Sequence, residues 1–255
     1  MNSSSAGGDG AEMSVLAHLS ELRRRLIVSI IAIVVTVVVS FVFSEQLLRI
    51  LMMPLKDLHL KAFNLMDGFM IKWRISLFAG IIAAFPVWAF EIYGFIRPAL
   101  RTHDRLAVWP MLFSSFALFL AGMAFAFYLL FSMVPTLLGF FPSEIEYLPS
   151  ADDYISFSTF FMLACGAVFE LPSVLITLVR LGLLRAETLR KQRRIAYFIL
   201  FAFAEIITPV SDPILAPLMV MCPLVVLYEV SVFCAYRIEH NRAKARIQQN
   251  LLDAL

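Results

Sequence analysis

Leu26 to Phe43 is a run of eighteen residues without a charge. As a helix it is long enough to cross the ~30 Å hydrocarbon core of a bilayer. Five further apolar runs follow, and together they leave few ways to fold in water. The 255 residues are 61% hydrophobic and 16% charged, with a mean hydropathy of +0.84. A soluble domain carries nearer a quarter charged residues. The expected class is therefore an all-α, polytopic membrane protein. Its net charge of +2 is too small to suggest a nucleic-acid partner.

Immediately before the first run stands His18-Leu19-Ser20-Glu21-Leu22-Arg23-Arg24-Arg25-Leu26. On a helix, Val15, Leu19, Leu22 and Leu26 share one face, and His18, Glu21 and Arg25 another. This predicts an amphipathic segment lying at the membrane surface and leading into the first span. Its three arginines should keep that end cytoplasmic. Residues 1–13 are small and polar at their start and are expected to be a disordered tail. A cleavable signal peptide is not expected, because the first run is long enough to span and lacks a small-residue cleavage pattern.

Six spans are predicted. They are Leu26–Phe43, Ile75–Ile96, a third beginning near Leu106, Tyr154–Val179, Ile195–Ser211 and Pro213–Tyr236. The last two are short, and only Thr208-Pro209-Val210-Ser211-Asp212-Pro213 lies between them. The uncharged run of the third reaches Ser143, so Pro135 and Gly139 are expected to end its helix. Sixteen of the 21 Lys and Arg fall on one side of this arrangement, which places both termini in the cytoplasm. The first loop is the exception, with Arg49, Lys56, Lys61, Lys72 and Arg74. Residues 14–237 then form the membrane domain and 238–255 a cytoplasmic tail.

Acidic residues inside the runs are the first candidates for chemistry, since a charge at mid-bilayer costs about 2.5–3.5 kcal/mol and normally faces protein or water. Glu170 lies two residues before Pro172, whose missing donor makes a polar notch. It can hydrogen-bond a partner helix or pair within the chain. Glu91 and Glu229 lie near span ends and read as anchors or caps; Glu205 has no assigned role. A second pair, Glu21 and Asp104, lies among basic residues. Each can simply pair with a neighbour, Glu21 with Arg25 and Asp104 with Arg101 or Arg105. Together they can instead accept guanidinium groups in bidentate fashion, which lysine cannot match.

Catalytic equipment is not visible. His18, His59, His103 and His240 all lie outside the spans, and Cys165, Cys222 and Cys234 read as core residues. There is no HExxH and no GxSxG. No metal set or cofactor site is expected.

The run His18-Leu-x-Glu21-Leu-Arg23-x-Arg25-Leu26 resembles the N-terminal signature of the TatC family, the multispanning core of the twin-arginine protein translocase. The resemblance continues from about residue 14 to 237. It includes Met53-Pro54-Leu55, Phe69 then Arg74, and Phe95-Ile-Arg-Pro98-Ala-Leu100 followed by His103-Asp104-Arg105. Gly122-x-x-Phe125-x-Phe-Tyr128, Gly166-x-x-Phe169-Glu170-Leu-Pro172, Arg193-Arg194, Thr208-Pro209 and Leu227-Tyr228-Glu229 complete it.

This resemblance implies a receptor for signal peptides with paired arginines, exporting folded cargo across the cytoplasmic (inner) membrane on the proton-motive force. It implies a signal-peptide-binding set of Glu21, Arg23, Phe95, Pro98, Asp104 and Arg105. Glu170 would contact single-span partners of the TatA and TatB type, with self-association in the receptor complex. Pro54, Pro172, Pro209 and Asp212 would be structural turn residues. Four departures stand out: Asp104 for a usual Glu, Arg74 for a usual Lys, Ile214-Leu215-Ala216 for a Ser-Gln, and Glu205 at a usually small or apolar site. The alternative class is a proton-coupled transporter using Glu91, Glu170 and Glu205, against which the missing internal repeat argues.

Overall fold

Without proline or glycine between residues 11 and 42, nothing in the sequence interrupts a helix through the arginine run into the first apolar stretch. The computed structural model describes residues 8–55, 60–97, 108–139, 149–208 and 215–253. Its first helix, α1, is continuous from Gly8 to Val42. The expected surface segment and first span are thus one rod, because a charge cluster does not break a helix. Residues 8–13 of the expected tail lie within it.

The other helices are α2 (Ser44–Leu51), α3 (Asp67–Ile96), α4 (Val108–Leu138), α5 (Ala151–Phe169), α6 (Leu171–Leu181), α7 (Ala186–Lys191), α8 (Arg193–Ile207) and α9 (Leu215–Asp253). Among the described residues, one isolated parallel bridge between Lys61 and Ser150 is the sole strand-like pairing. Five stretches are long and apolar enough to cross a membrane: His18–Val42, Asp67–Ile96, Trp109–Thr136, Ala151–Leu181 and Pro217–Lys244.

Three expectations shift. α8 has 15 residues, about 22 Å of helix, so it falls short of a ~30 Å core by itself. α4 passes through Pro135 and stops at Leu138, where Gly139 N–H turns back onto the Pro135 carbonyl at 3.0 Å. The fourth run is two helices, not one, broken at Glu170. Pro172 sits in the first turn of α6, where a proline needs no backbone donor. α9 runs on through position 237 to Asp253.

The long apolar stretches alternate in direction and make two end faces. At one, α1 begins, α3 ends, α4 begins and α6 ends; Tyr93 and Met111 are buried there with Ile96, Ile176 and Leu181 around them. α9 closes this face. Arg242 donates to the Val179 and Arg180 carbonyls at 3.1 and 2.7 Å, and Glu239 accepts from Ala186 N–H at 2.9 Å. These are the end carbonyls of α6 and the first amide of α7, groups a helix cannot satisfy internally. Tyr228 adds a bond to the Leu189 carbonyl at 2.8 Å.

At the opposite face the first loop is stitched to the start of α5. Tyr154 donates to Leu51 O at 2.8 Å, and Lys61 exchanges backbone bonds with Pro149 and Ala151. Two of the first loop's unexpected basic residues are matched here: Lys72 with Glu45 and Arg74 with Asp152, each at 3.0 Å. Pro54 is buried in the short 3-10 turn Met53–Leu55. Between the faces, Phe85, Phe161, Ile75, Leu130 and Ile155 fill the core.

Close helix approaches rest on small residues, as in membrane interiors where apolar side chains gain little over lipid. At Gly80 an added Cβ would fall 2.7 Å from Val37 Cα, and Thr36 donates to the Gly80 carbonyl at 2.8 Å. At Gly122 it would fall 2.8 Å from Cys165 O and from Phe169 Cβ. Gly80→Leu should therefore push α1 from α3 and destabilise the protein by about 1–3 kcal/mol. An unchanged unfolding midpoint in detergent would contradict this packing.

Candidate functional site

Two polar sites stand apart on this scaffold, one at the end where α1 begins and one between the helices.

At the first, Glu21 and Arg25 are one turn apart on α1 and Glu91 is on α3. Arg25 donates to Glu21 Oε1 through Nε at 3.0 Å and Nη2 at 2.7 Å, and to Glu91 Oε2 through Nη1 at 3.0 Å. The neighbour pairing read from sequence for Glu21 is present, and it extends to a second helix. Side-chain exposures of 39% for Glu21, 24% for Arg25 and 18% for Glu91 leave the cluster open to water at its edge. One turn further along, His18 stacks on Phe95 with ring centroids 4.3 Å apart and an interplanar angle of 16°. Arg23 is exposed on α1. Pro98, Asp104 and Arg105 lie outside the described residues, as do Pro209 and Asp212.

Glu91 and Gly94 belong to this site although sequence reading gave Glu91 only an anchoring place. The signal was an acid and a glycine within four residues of Phe95, but which helix faced them was not readable. A further polar cluster fixes the same end: Arg193 and Tyr197 of α8 both donate to Glu229, at 2.6 and 2.5 Å. Glu229 does anchor, joining α8 to α9.

The second site is Glu170, at the joint between α5 and α6. Ser115 of α4 donates to its Oε2 at 2.7 Å. Its Oε1 is buried without a hydrogen-bond partner, as is the hydroxyl of Ser173. An intrachain pair and an open acceptor therefore coexist. They border a groove of about 390 Å³ lined by Trp88, Tyr93, Phe119, Val174, Thr177 and Leu178 among others. An apolar groove with one open acceptor is chemically suited to a helix carrying a hydroxyl or amide.

Glu91 is tied to Arg25, Glu170 to Ser115, and Glu205 is exposed on α8. Among the described residues these three carboxylates do not form one directly hydrogen-bonded set. Nor does any group of His, Cys, Asp and Glu among the described residues have the arrangement of a metal site.

The profile of the family described as Sec-independent protein translocase protein (TatC) matches residues 17–223. TatC of Carboxydothermus hydrogenoformans is 34% identical over 226 residues, covering 88% of this chain and 93% of that protein. TatCd of Bacillus subtilis is 34% identical over 225 residues, covering 88% and 92%. A crystal structure described as the twin arginine translocase receptor TatC superposes with a TM-score of 0.74 at 34% identity, over 86% of this chain and 98% of that one. A second, in the detergent DDM, gives 0.75 at 35% identity, over 86% and 99%. The chain belongs to the TatC family, membrane-embedded components of the Sec-independent protein translocase and not enzymes.

Proposed function

We propose that this protein is the receptor for twin-arginine signal peptides and the core of the translocase that moves folded proteins across the cytoplasmic (inner) membrane, driven by the proton-motive force. The observation that carries the reading is Glu21, held beside Glu91 around a guanidinium at the end where α1 begins. A carboxylate at an open, partly desolvated edge is the natural acceptor for an arginine side chain. Support also comes from the crystal structures that this chain resembles, whose description names a twin arginine translocase receptor.

In this reading α8 belongs to the short fifth of six spans, and both termini are cytoplasmic. The basic residues Arg23 to Arg25, Arg97 and Arg180 to Arg194 share one face, which the positive-inside rule assigns to the cytoplasm. Residues 14–237 are the membrane domain, 1–13 and 238–255 its two tails. Arg23, Phe95, Pro98, Asp104 and Arg105 complete the peptide site around Glu21. The aromatic pair His18–Phe95 lends it a flat apolar wall.

Glu170 serves a different contact. Its unpartnered Oε1 and the apolar groove beside it suit a polar side chain on a TatA- or TatB-type single-span helix. A second copy of the receptor can assemble around the same complex. Pro54 and Pro172 hold the turns already described, and a structural role is also proposed for Pro209 and Asp212.

Two outcomes test the division of roles. Glu21→Ala and Asp104→Ala each remove a charge-assisted contact worth about 1.5–3 kcal/mol, so each should weaken binding of an Arg-Arg signal peptide by about tenfold or more. Unchanged affinity in both would refute the placement. Glu170→Ala should leave that affinity intact and reduce crosslinking to the single-span partners; normal crosslinking would sink the membrane contact.

A further inference from the structure

Arg25 uses all three of its guanidinium nitrogens on carboxylates of two helices. Nε and Nη2 reach Glu21 Oε1, and Nη1 reaches Glu91 Oε2. This is the planar fork that an arginine of any origin presents and that an ammonium group cannot reproduce. The backbone of α3 is shaped to admit it. A Cβ at position 94 would collide with Arg25 Nη1, so Gly94 leaves room for the guanidinium plane. A groove of about 350 Å³ shares Arg25 and Glu91 and is otherwise mostly apolar, with Leu22, Leu26, Trp88 and Phe95 among its walls. Charge at one end and apolar walls beyond it match the order of a signal peptide, basic first and apolar after.

We infer that Glu21 and Glu91 form a guanidinium site that Arg25 fills when no cargo is bound, and that one arginine of a signal peptide enters it by displacing Arg25. The inference rests on the receptor reading above and adds Glu91 and Arg25 to it. The cluster carries two carboxylates and one guanidinium, a formal charge of −1. Exchange keeps that charge, whereas an empty site would leave two acids facing each other. One guanidinium replaces another, so the exchange is readily reversed, which suits a receptor that must release its cargo. It also loosens the tie between α1 and α3 when peptide binds, because the bridge then runs through the peptide's arginine.

The full-length protein in detergent is tested with an Arg-Arg peptide and its Lys-Lys counterpart. Arg25→Gln empties the site and should tighten Arg-Arg binding by about tenfold, with a clearly smaller gain for Lys-Lys. The gain should vanish in Arg25→Gln with Glu91→Gln. Unchanged or weaker Arg-Arg binding in Arg25→Gln would overturn the inference. Where that variant does not fold, Arg25→Lys keeps the charge but loses the fork, and about a threefold gain is expected; no gain there overturns it equally.

A second readout uses no peptide. The unfolding midpoint of Arg25→Gln should rise with millimolar methylguanidinium, not with methylammonium, and not in the double variant. No rise overturns the guanidinium site even where the Arg-Arg preference of the unaltered protein stands. A rise in a protein without that preference overturns the receptor reading, and with it the peptide's entry into the site.

Discussion

Hydrocarbon offers no hydrogen-bond partner, so every polar group inside these helices must find one within the protein. Most do so locally. Thr159 and Ser231 bond back to the carbonyl four residues earlier, which satisfies the hydroxyl without joining two helices. Others join them: Thr36 reaches Gly80 O from α1 to α3, and Ser115 reaches Glu170 from α4 to the joint of α5 and α6. Such bonds average about 0.6 kcal/mol in membranes, so they fix register more than they hold the bundle together. Among the described residues Glu170 Oε1 is one of the places where the rule is left unmet, with the hydroxyls of Ser158 and Ser173. An acid with one oxygen satisfied and one open is costly to keep, which is why the open side is assigned to a partner.

The spans were legible because uncharged runs of this length have one plausible solvent. Their ends were harder to see. The arginine run before Leu26 suggested a change of direction, yet arginine is a good helix former and α1 continues through it. Pro135 looked like a stop but lies in the last turns of α4, where the carbonyls it leaves open are already near the end. Pro172 did mark a real joint, because Glu170 takes up the turn in front of it. α9 showed no terminus at 237 because Glu239 and Arg242 are used on α6 and α7, a contact between residues more than fifty positions apart.

That separation limits what the site could reveal in the sequence. Glu21 with Arg25 was visible as a one-turn pair, and Glu91 as an isolated acid near the end of a run. Their union through one guanidinium depends on how α1 and α3 cross, and on Gly94 letting Arg25 lie against α3. The three lysines and two arginines of the first loop were an anomaly for the charge rule. Lys72 with Glu45 and Arg74 with Asp152 are paired there, but the rule counts basic residues and not net charge, so pairing does not remove the anomaly.

On the proposed reading the protein separates two tasks by solvent. Charged recognition is placed at a wet edge, where ion pairs can exchange; helix recognition is placed at a lone acid inside the membrane, where few donors compete. The central claim is that the wet edge reads arginine and not merely positive charge. The direct measurement is the affinity of the detergent-purified protein for a signal peptide bearing Arg-Arg against the same peptide bearing Lys-Lys. The account predicts a preference of about tenfold or more, or about 1.4 kcal/mol. Equal binding of the two peptides would contradict it.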